Sequence, residues 1–197
     1  MKMKKITDIE TIVLTEVVPT EHLVVKDTKI SSIVDSIIDK IGKASAWLWL
    51  LVVLVTISSV ILRYVFKSGL VALEELSWYL YGIAWLLSLS FGFVDDSHVR
   101  VGIFYEKFSN ERKLWIELIG SMVLLLPFLL IVIIDSTPYF IDSFIAAESS
   151  IAPAGLSYRW IVKIFIPISF LLLLVAALSR LYKCIYTLSH NSQRNEK

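Results

Sequence analysis

Four stretches of the chain are nearly free of charge and long enough to cross a bilayer, and the polar residues gather in the intervals between them. Ala44 to Leu62 holds no charged residue and is rich in Leu, Ile and Val, each of which favours the bilayer centre by about 0.3 to 0.6 kcal/mol. A run of roughly 20 apolar residues matches the hydrocarbon thickness, which predicts a first span over 44–66. Trp47 and Trp49 stand at one interface, and Arg63 and Tyr64 at the other. Leu76 to Val94 is a second uncharged run, opening on Trp78, Tyr79 and Tyr81, and predicts a span over 74–94. Only a short connection containing Gly69 separates the two, so they return as an antiparallel hairpin. A third span is predicted over 112–135, entered through Arg112, Lys113 and Trp115 and bent at Pro127. A fourth is predicted over 158–183, with Lys163 snorkelling at its entry and Pro167 as a second bend.

The flanking patterns differ. Residues 1–29 are too polar to span and read as a tail. From 30 to 43 the residues Ile30, Ile33, Val34, Ile37, Ile38 and Ile41 recur at helical spacing, with Asp35, Asp39, Lys40 and Lys43 on the other side. That pattern predicts an amphipathic helix lying on the membrane surface. A second interfacial helix is predicted over 99–108, with Val101, Phe104, Tyr105 and Phe108 on one face. The stretch from Asp135 to Ser157, broken by Pro138, Pro153 and Gly155, reads as a loop with one partial helix. Residues 184–197 form a polar C-terminal tail. The expected fold class is an all-α integral membrane protein, with four transmembrane helices plus short amphipathic interfacial helices. Lys40 and Lys43, then Arg100, Lys107, Arg112 and Lys113, then Arg180, Lys183, Arg194 and Lys197 put both termini on the cytoplasmic side.

Composition sharpens this picture. Of 197 residues 56% are hydrophobic, more than a soluble domain of this size can hide. The net charge of +1 says little by itself. A lone Cys184 excludes an internal disulfide and a cysteine metal cluster. The basic N-terminus continues into a mixed polar stretch without the apolar core of a removable signal peptide. No GxxxxGK is present to cradle nucleotide phosphates, which disfavours an ATP-driven pump. His22, His98 and His190 all lie outside the predicted spans, where they could not ligate a haem inside a bundle. No cofactor, no metal, no nucleic acid and no enzyme activity is expected.

The candidate functional residues cluster between Arg63 and Arg100. Adjacent acids Glu74 and Glu75 open the second span, where carboxylates also suit a helix N-terminus. Successive helical residues point about 100° apart, so the two look in different directions. Ala84, Ser88 and Gly92 recur every fourth residue as a small-residue face that admits another helix. Glu74 projects toward that face and Glu75 away from it. Arg63 is within reach of either acid across the hairpin. The corner Asp95-Asp96-Ser97-His98-Val99-Arg100 fixes the turn into the surface helix, with Arg100 reaching lipid phosphates or Asp95. Glu117 and Asp135 flank the third span at its ends, where charge costs little. No ionisable residue falls at mid-membrane, the usual place of a transporter's own substrate or ion site.

At these residues the chain resembles the small, DctQ-like membrane subunit of tripartite ATP-independent periplasmic (TRAP) transporters, over Ile33 to Tyr182. The resemblance rests on Arg63-Tyr64-Val65-Phe66, Glu74-Glu75-Leu76-Ser77, His98-Val99-Arg100-Val101 and Ile166-Pro167-Ile168, in that order and spacing. Trp78 stands where the family often has a basic residue, and Gly102 where it often has an acid. The resemblance implies a non-catalytic permease subunit in a bacterial inner membrane. Its implied partners are a large M-type membrane subunit, which moves an organic acid on a sodium gradient, and a soluble extracytoplasmic P-type binding protein. The small subunit would widen the fixed scaffold past which the mobile part of the large one slides. Arg63, Glu74, Glu75, Ala84, Ser88, Gly92, His98, Arg100 and Pro167 are its candidate interface or structural residues, with membrane lipids around them. The alternatives from other classes are a self-sufficient homo-oligomeric carrier and an anchor for a redox complex.

Overall fold

A computed structural model describes Val25, residues 28–95 and residues 108–195. Residues 1–24 of the N-terminal tail and the helix expected over 99–108, apart from Phe108, lie outside the described residues. So do His98 and Arg100.

Among the described residues helix is the only regular secondary structure, with four helices long and apolar enough to cross a membrane. The first is α1, Lys29–Tyr64, which joins the expected surface helix and first span without a break. Thr28 starts it: Ser31 N–H donates to Thr28 Oγ1 at 3.4 Å, and Thr28 N–H donates to Ser31 Oγ at 3.0 Å, a reciprocal cap that satisfies two otherwise idle donors. The chain turns back through residues 65–70 into α2, Val71–Val94. Lys67, at φ 50°, makes the reversal; Gly69 has no positive φ.

The third span is one 36-residue run in three pieces: α3, Asn110–Gly120, a π-helical turn, Ser121–Leu125, and α4, Leu126–Ile145. Pro127 explains the turn. It has no N–H for the carbonyl of Val123 and its ring would strike that group; widening the preceding turn, with Leu126 N–H donating to Ser121 O, moves the carbonyls away. Pro138 does not end the helix as expected. The helix runs on through it to Ile145, as membrane helices can where they carry proline. The fourth span is α5, Trp160–Lys163, and α6, Phe165–Asn195. The break at Ile164 falls three residues before Pro167, where the proline ring would meet the carbonyl of Lys163.

α6 is the hub. It packs against α1, α2, α3 and α4, whereas α1 pairs chiefly with α2. Its inner side joins Leu173 and Ala177 to Leu129 of α4, with Phe93 of α2 closing the cluster. Toward its C-terminal end, fully buried Cys184 meets Leu114 of α3. The α1–α2 hairpin is tight enough that a Cβ at Gly42 would stand 2.5 Å from the Cβ of Phe91. Even so, only 6% of the most apolar stretch of the first span is buried inside the chain, against 22% for the last. The remainder must be covered by lipid or by another protein.

Two charged layers mark the depth of the membrane. On the fourth span Lys163 and Arg180 are separated by an uncharged run of about 26 Å of helix, close to the hydrocarbon thickness. Glu117 pairs with Arg180 and Tyr139 lies under Lys163, so the third span crosses between about the same levels. Beyond them, α4 continues to Ile145 and α6 to Asn195. The expected ends near residues 135 and 183 are therefore edges of the apolar layer, and the helices run on past both.

Candidate functional site

The layer at the hairpin end is built on Arg63, Glu74 and Glu75. Arg63 lies in the last turn of α1 and Glu74 in the first turn of α2, and the short loop between them brings the two into an ion pair, each about half to two-thirds covered. Glu75, one residue on, points the other way. It accepts the N–H of Leu156 at 2.6 Å and the hydroxyl of Ser150, and so ties α2 to the connection between α4 and α5. Of the two pairings that sequence left open for Arg63, the structure forms the one with Glu74.

The connection is itself cross-braced. Ser150 N–H donates to Leu156 O at 3.0 Å and Arg159 N–H to Glu148 O at 3.0 Å. Gly155 passes so near the clamp that a Cβ there would lie 2.5 Å from Ser150 and 2.8 Å from Glu75 Oε2, so only glycine fits. Glu148 gathers three partners: the Lys163 ammonium, the Ser143 hydroxyl at 2.6 Å and the Arg159 guanidinium at 3.6 Å. The hydrogen bond from Lys163, then that from Ser143, holds the Glu148 carboxyl below its ordinary value, against the opposing effect of partial burial. Ala147, Ala154 and Tyr158 all adopt positive φ in this segment, a conformation that non-glycine residues hold only where their surroundings impose it.

The opposite layer was not legible as a network. Arg180 Nε donates to Glu117 Oε1 at 2.7 Å, with both side chains about five-sixths buried. Lys183 pairs with Asp35 of α1, which also accepts the Ser179 hydroxyl at 3.3 Å. Glu117 is thus a buried tie between α3 and α6 rather than an inexpensive charge at a span end. Only the coincidence of Glu117 and Arg180 at one membrane level could have signalled it.

The small-residue face of α2 turns inward. Ala84 is fully buried and Ser88 Oγ lies 3.5 Å from Ser45 Oγ of α1, so the helix that meets Ser88 is α1 of the same chain. The outward side of α2 carries Val71, Trp78, Tyr81 and Trp85, all exposed. Next to it, between α1 and α2, runs a groove of about 420 Å³ lined by Thr56, Ser59, Ser77, Trp78 and Tyr81, with Arg63 and Glu74 at its mouth.

Chemically these carboxylates are engaged as anchors. Glu74, Glu75, Glu117 and Glu148 each hold a cation or hydrogen-bond donors from another element, an arrangement suited to locking helices together. Among the described residues no group of three His, Cys, Asp or Glu could hold a metal ion. A model of the family described as "Tripartite ATP-independent periplasmic transporters, DctQ component" matches residues 52–187, from the middle of α1 through most of α6. No curated protein matches the chain.

Proposed function

Because the chain belongs to the DctQ component family of tripartite ATP-independent periplasmic transporters, we propose that it is the non-catalytic small permease subunit of a sodium-driven transporter for organic acids. In this reading it stabilises and widens the fixed scaffold of a large elevator-type membrane subunit, and a soluble extracytoplasmic protein delivers the substrate. It resides in a bacterial inner membrane with both termini cytoplasmic, an orientation favoured by the basic residues at the Lys183 end of the bundle.

One observation carries the proposal. The ionisable side chains of the described spans sit in two bands near the membrane edges, tied across helices by Arg63–Glu74, Lys163–Glu148, Arg180–Glu117 and Lys183–Asp35. The apolar run between the bands on the fourth span offers neither an ion nor an organic anion a place to rest. Charges paired between helices resist shear when a neighbouring domain crosses the bilayer.

The test is reconstitution. Liposomes containing this chain alone should accumulate no organic anion on a sodium gradient. Liposomes containing it with the large subunit, supplied with the soluble component, should. Uptake by the chain alone would overturn the proposal in favour of a self-sufficient carrier.

A further inference from the structure

The outward side of α2 is a poor surface for lipid. Trp78 stands near the level of Arg63 and Glu74, where an indole suits the membrane interface. Trp85 does not. It lies midway between Glu75 and Asp95, with about 15 Å of helix to either, and is 51% exposed. Among the described residues its indole makes no hydrogen bond. At mid-bilayer an indole N–H facing hydrocarbon meets neither water nor an acceptor.

Gly82 shares this side, and a Cβ there would meet nothing within 4 Å, so the backbone is open to close approach. Trp49 of α1 widens the surface, standing edge-on to Tyr81 with ring centroids 5.5 Å apart. The outward residues of the third span, Met122, Val123, Leu124, Phe128 and Ile131, carry no hydrogen-bond donor in their side chains, and lipid satisfies those without remainder.

We propose that Trp78, Gly82 and Trp85 form the docking stripe for the large membrane subunit. One transmembrane helix of that subunit lies over Gly82 and presents a hydrogen-bond acceptor to Trp85 Nε1 at mid-membrane depth. This rests on the functional reading above. The occupant follows from the chemistry: an acyl chain has no acceptor to offer, and a soluble component cannot reach that depth. Glycine on a membrane helix marks where a second backbone approaches. The groove lined by Thr56, Ser59 and Tyr81 lies alongside to receive a side chain of the same helix.

The experiment places a photoreactive benzophenone side chain at position 85, and separately at position 124, in the chain co-expressed with its large and soluble partners. Irradiation should join position 85 to the large subunit and position 124 to lipid. A lipid-only or self-adduct at 85, or a large-subunit adduct at 124 and none at 85, would overturn the stripe. Gly82→Leu should lower recovery of the large subunit several-fold without lowering the melting temperature of the isolated chain; unaltered recovery would count against the proposal. Trp85→Phe, which removes only the N–H donor, should weaken retention about threefold, the usual worth of one interhelical hydrogen bond in a membrane. A wild-type chain that fails to co-purify with the large subunit would overturn the functional reading together with the stripe. A chain that co-purifies while position 85 yields only lipid overturns the stripe alone.

Discussion

Replacing Gly42 by alanine tests the α1–α2 packing, because two opposing effects meet at that position. In a free helix the change stabilises by about 1 kcal/mol. Here the new methyl would stand 2.5 Å from the Cβ of Phe91 and closer still to its ring, a separation that ring rotation cannot relieve because the Cβ is fixed to the α2 backbone. The two helices must part. Overpacking of this kind costs about 1 to 3 kcal/mol, and a clash with a backbone-linked atom belongs at the upper end. The net expectation is a loss of about 2 kcal/mol, or several degrees in melting temperature for a chain of this size. Thermal melts of the purified chain in mild detergent give the measurement. The decisive arm is the double variant: with Phe91→Gly in place the steric cost vanishes and only the helix preference remains. Gly42→Ala should then stabilise by about 1 kcal/mol relative to Phe91→Gly alone, a coupling of about 3 kcal/mol. Phe91→Ala, which keeps the offending Cβ, should restore only part. A melting temperature that rises with Gly42→Ala in the native background, or a sign that does not reverse, would refute the reasoning.

Other expectations follow from the charged layers and the loop. Ala147 ends α4 with φ 44°, and Glu148 N–H donates to Ser143 O at 3.1 Å, the helix stop in which glycine is preferred; Ala147→Gly should raise stability by about 1 kcal/mol, seen as a higher melting temperature. Glu148 has a folded-state pKa lowered from 4.5, so its contribution is complete above that value and is lost as pH falls through the lower, folded one. Melting temperatures of wild type and Glu148→Gln should therefore differ at neutral pH and converge in strong acid, and a constant gap down to pH values where carboxylates are fully protonated would contradict this. Glu74→Ala should weaken co-purification with the large subunit more than Glu75→Ala, whereas Glu75→Ala should speed proteolysis of the connection around Ser150. Equal losses of partner in both variants would refute that division.

Much of this architecture could be read from hydropathy, which senses where hydrocarbon begins and ends. It located four spans and the hairpin, and Pro127 and Pro167 mark where the third and fourth helices lose their regular turn, through loss of a donor and a steric clash that are local. It misplaced the ends of the third and fourth helices for the same reason: near and beyond the bilayer edge Ser136, Thr137 and Asp142 are polar, and the helix continues through them on hydrogen bonds that carry no hydropathic signal. The Arg63–Glu74 pair was within reach of sequence because eleven positions and one turn separate its members. The clamp of Glu75 on Ser150 and Leu156, and the tie from Glu117 to Arg180, join residues far apart in the chain, and only the order in which helices pack decides such partners. Residue size marked Ala84, Ser88 and Gly92 as a face that admits another helix but could not say which helix; Ser88 meets α1 of the same chain, and the large aromatics are left facing out.

The central position of α6 bears on how the protein is made. It leaves the ribosome after the five helices before it, yet α3 and α4 find their main packing surface on it. During synthesis the hairpin of α1 and α2 can form early, while the third span waits in the lipid without the helix it packs on. A nascent chain stopped before Phe165 would hold a finished pair of helices beside a third that has yet to find its packing surface.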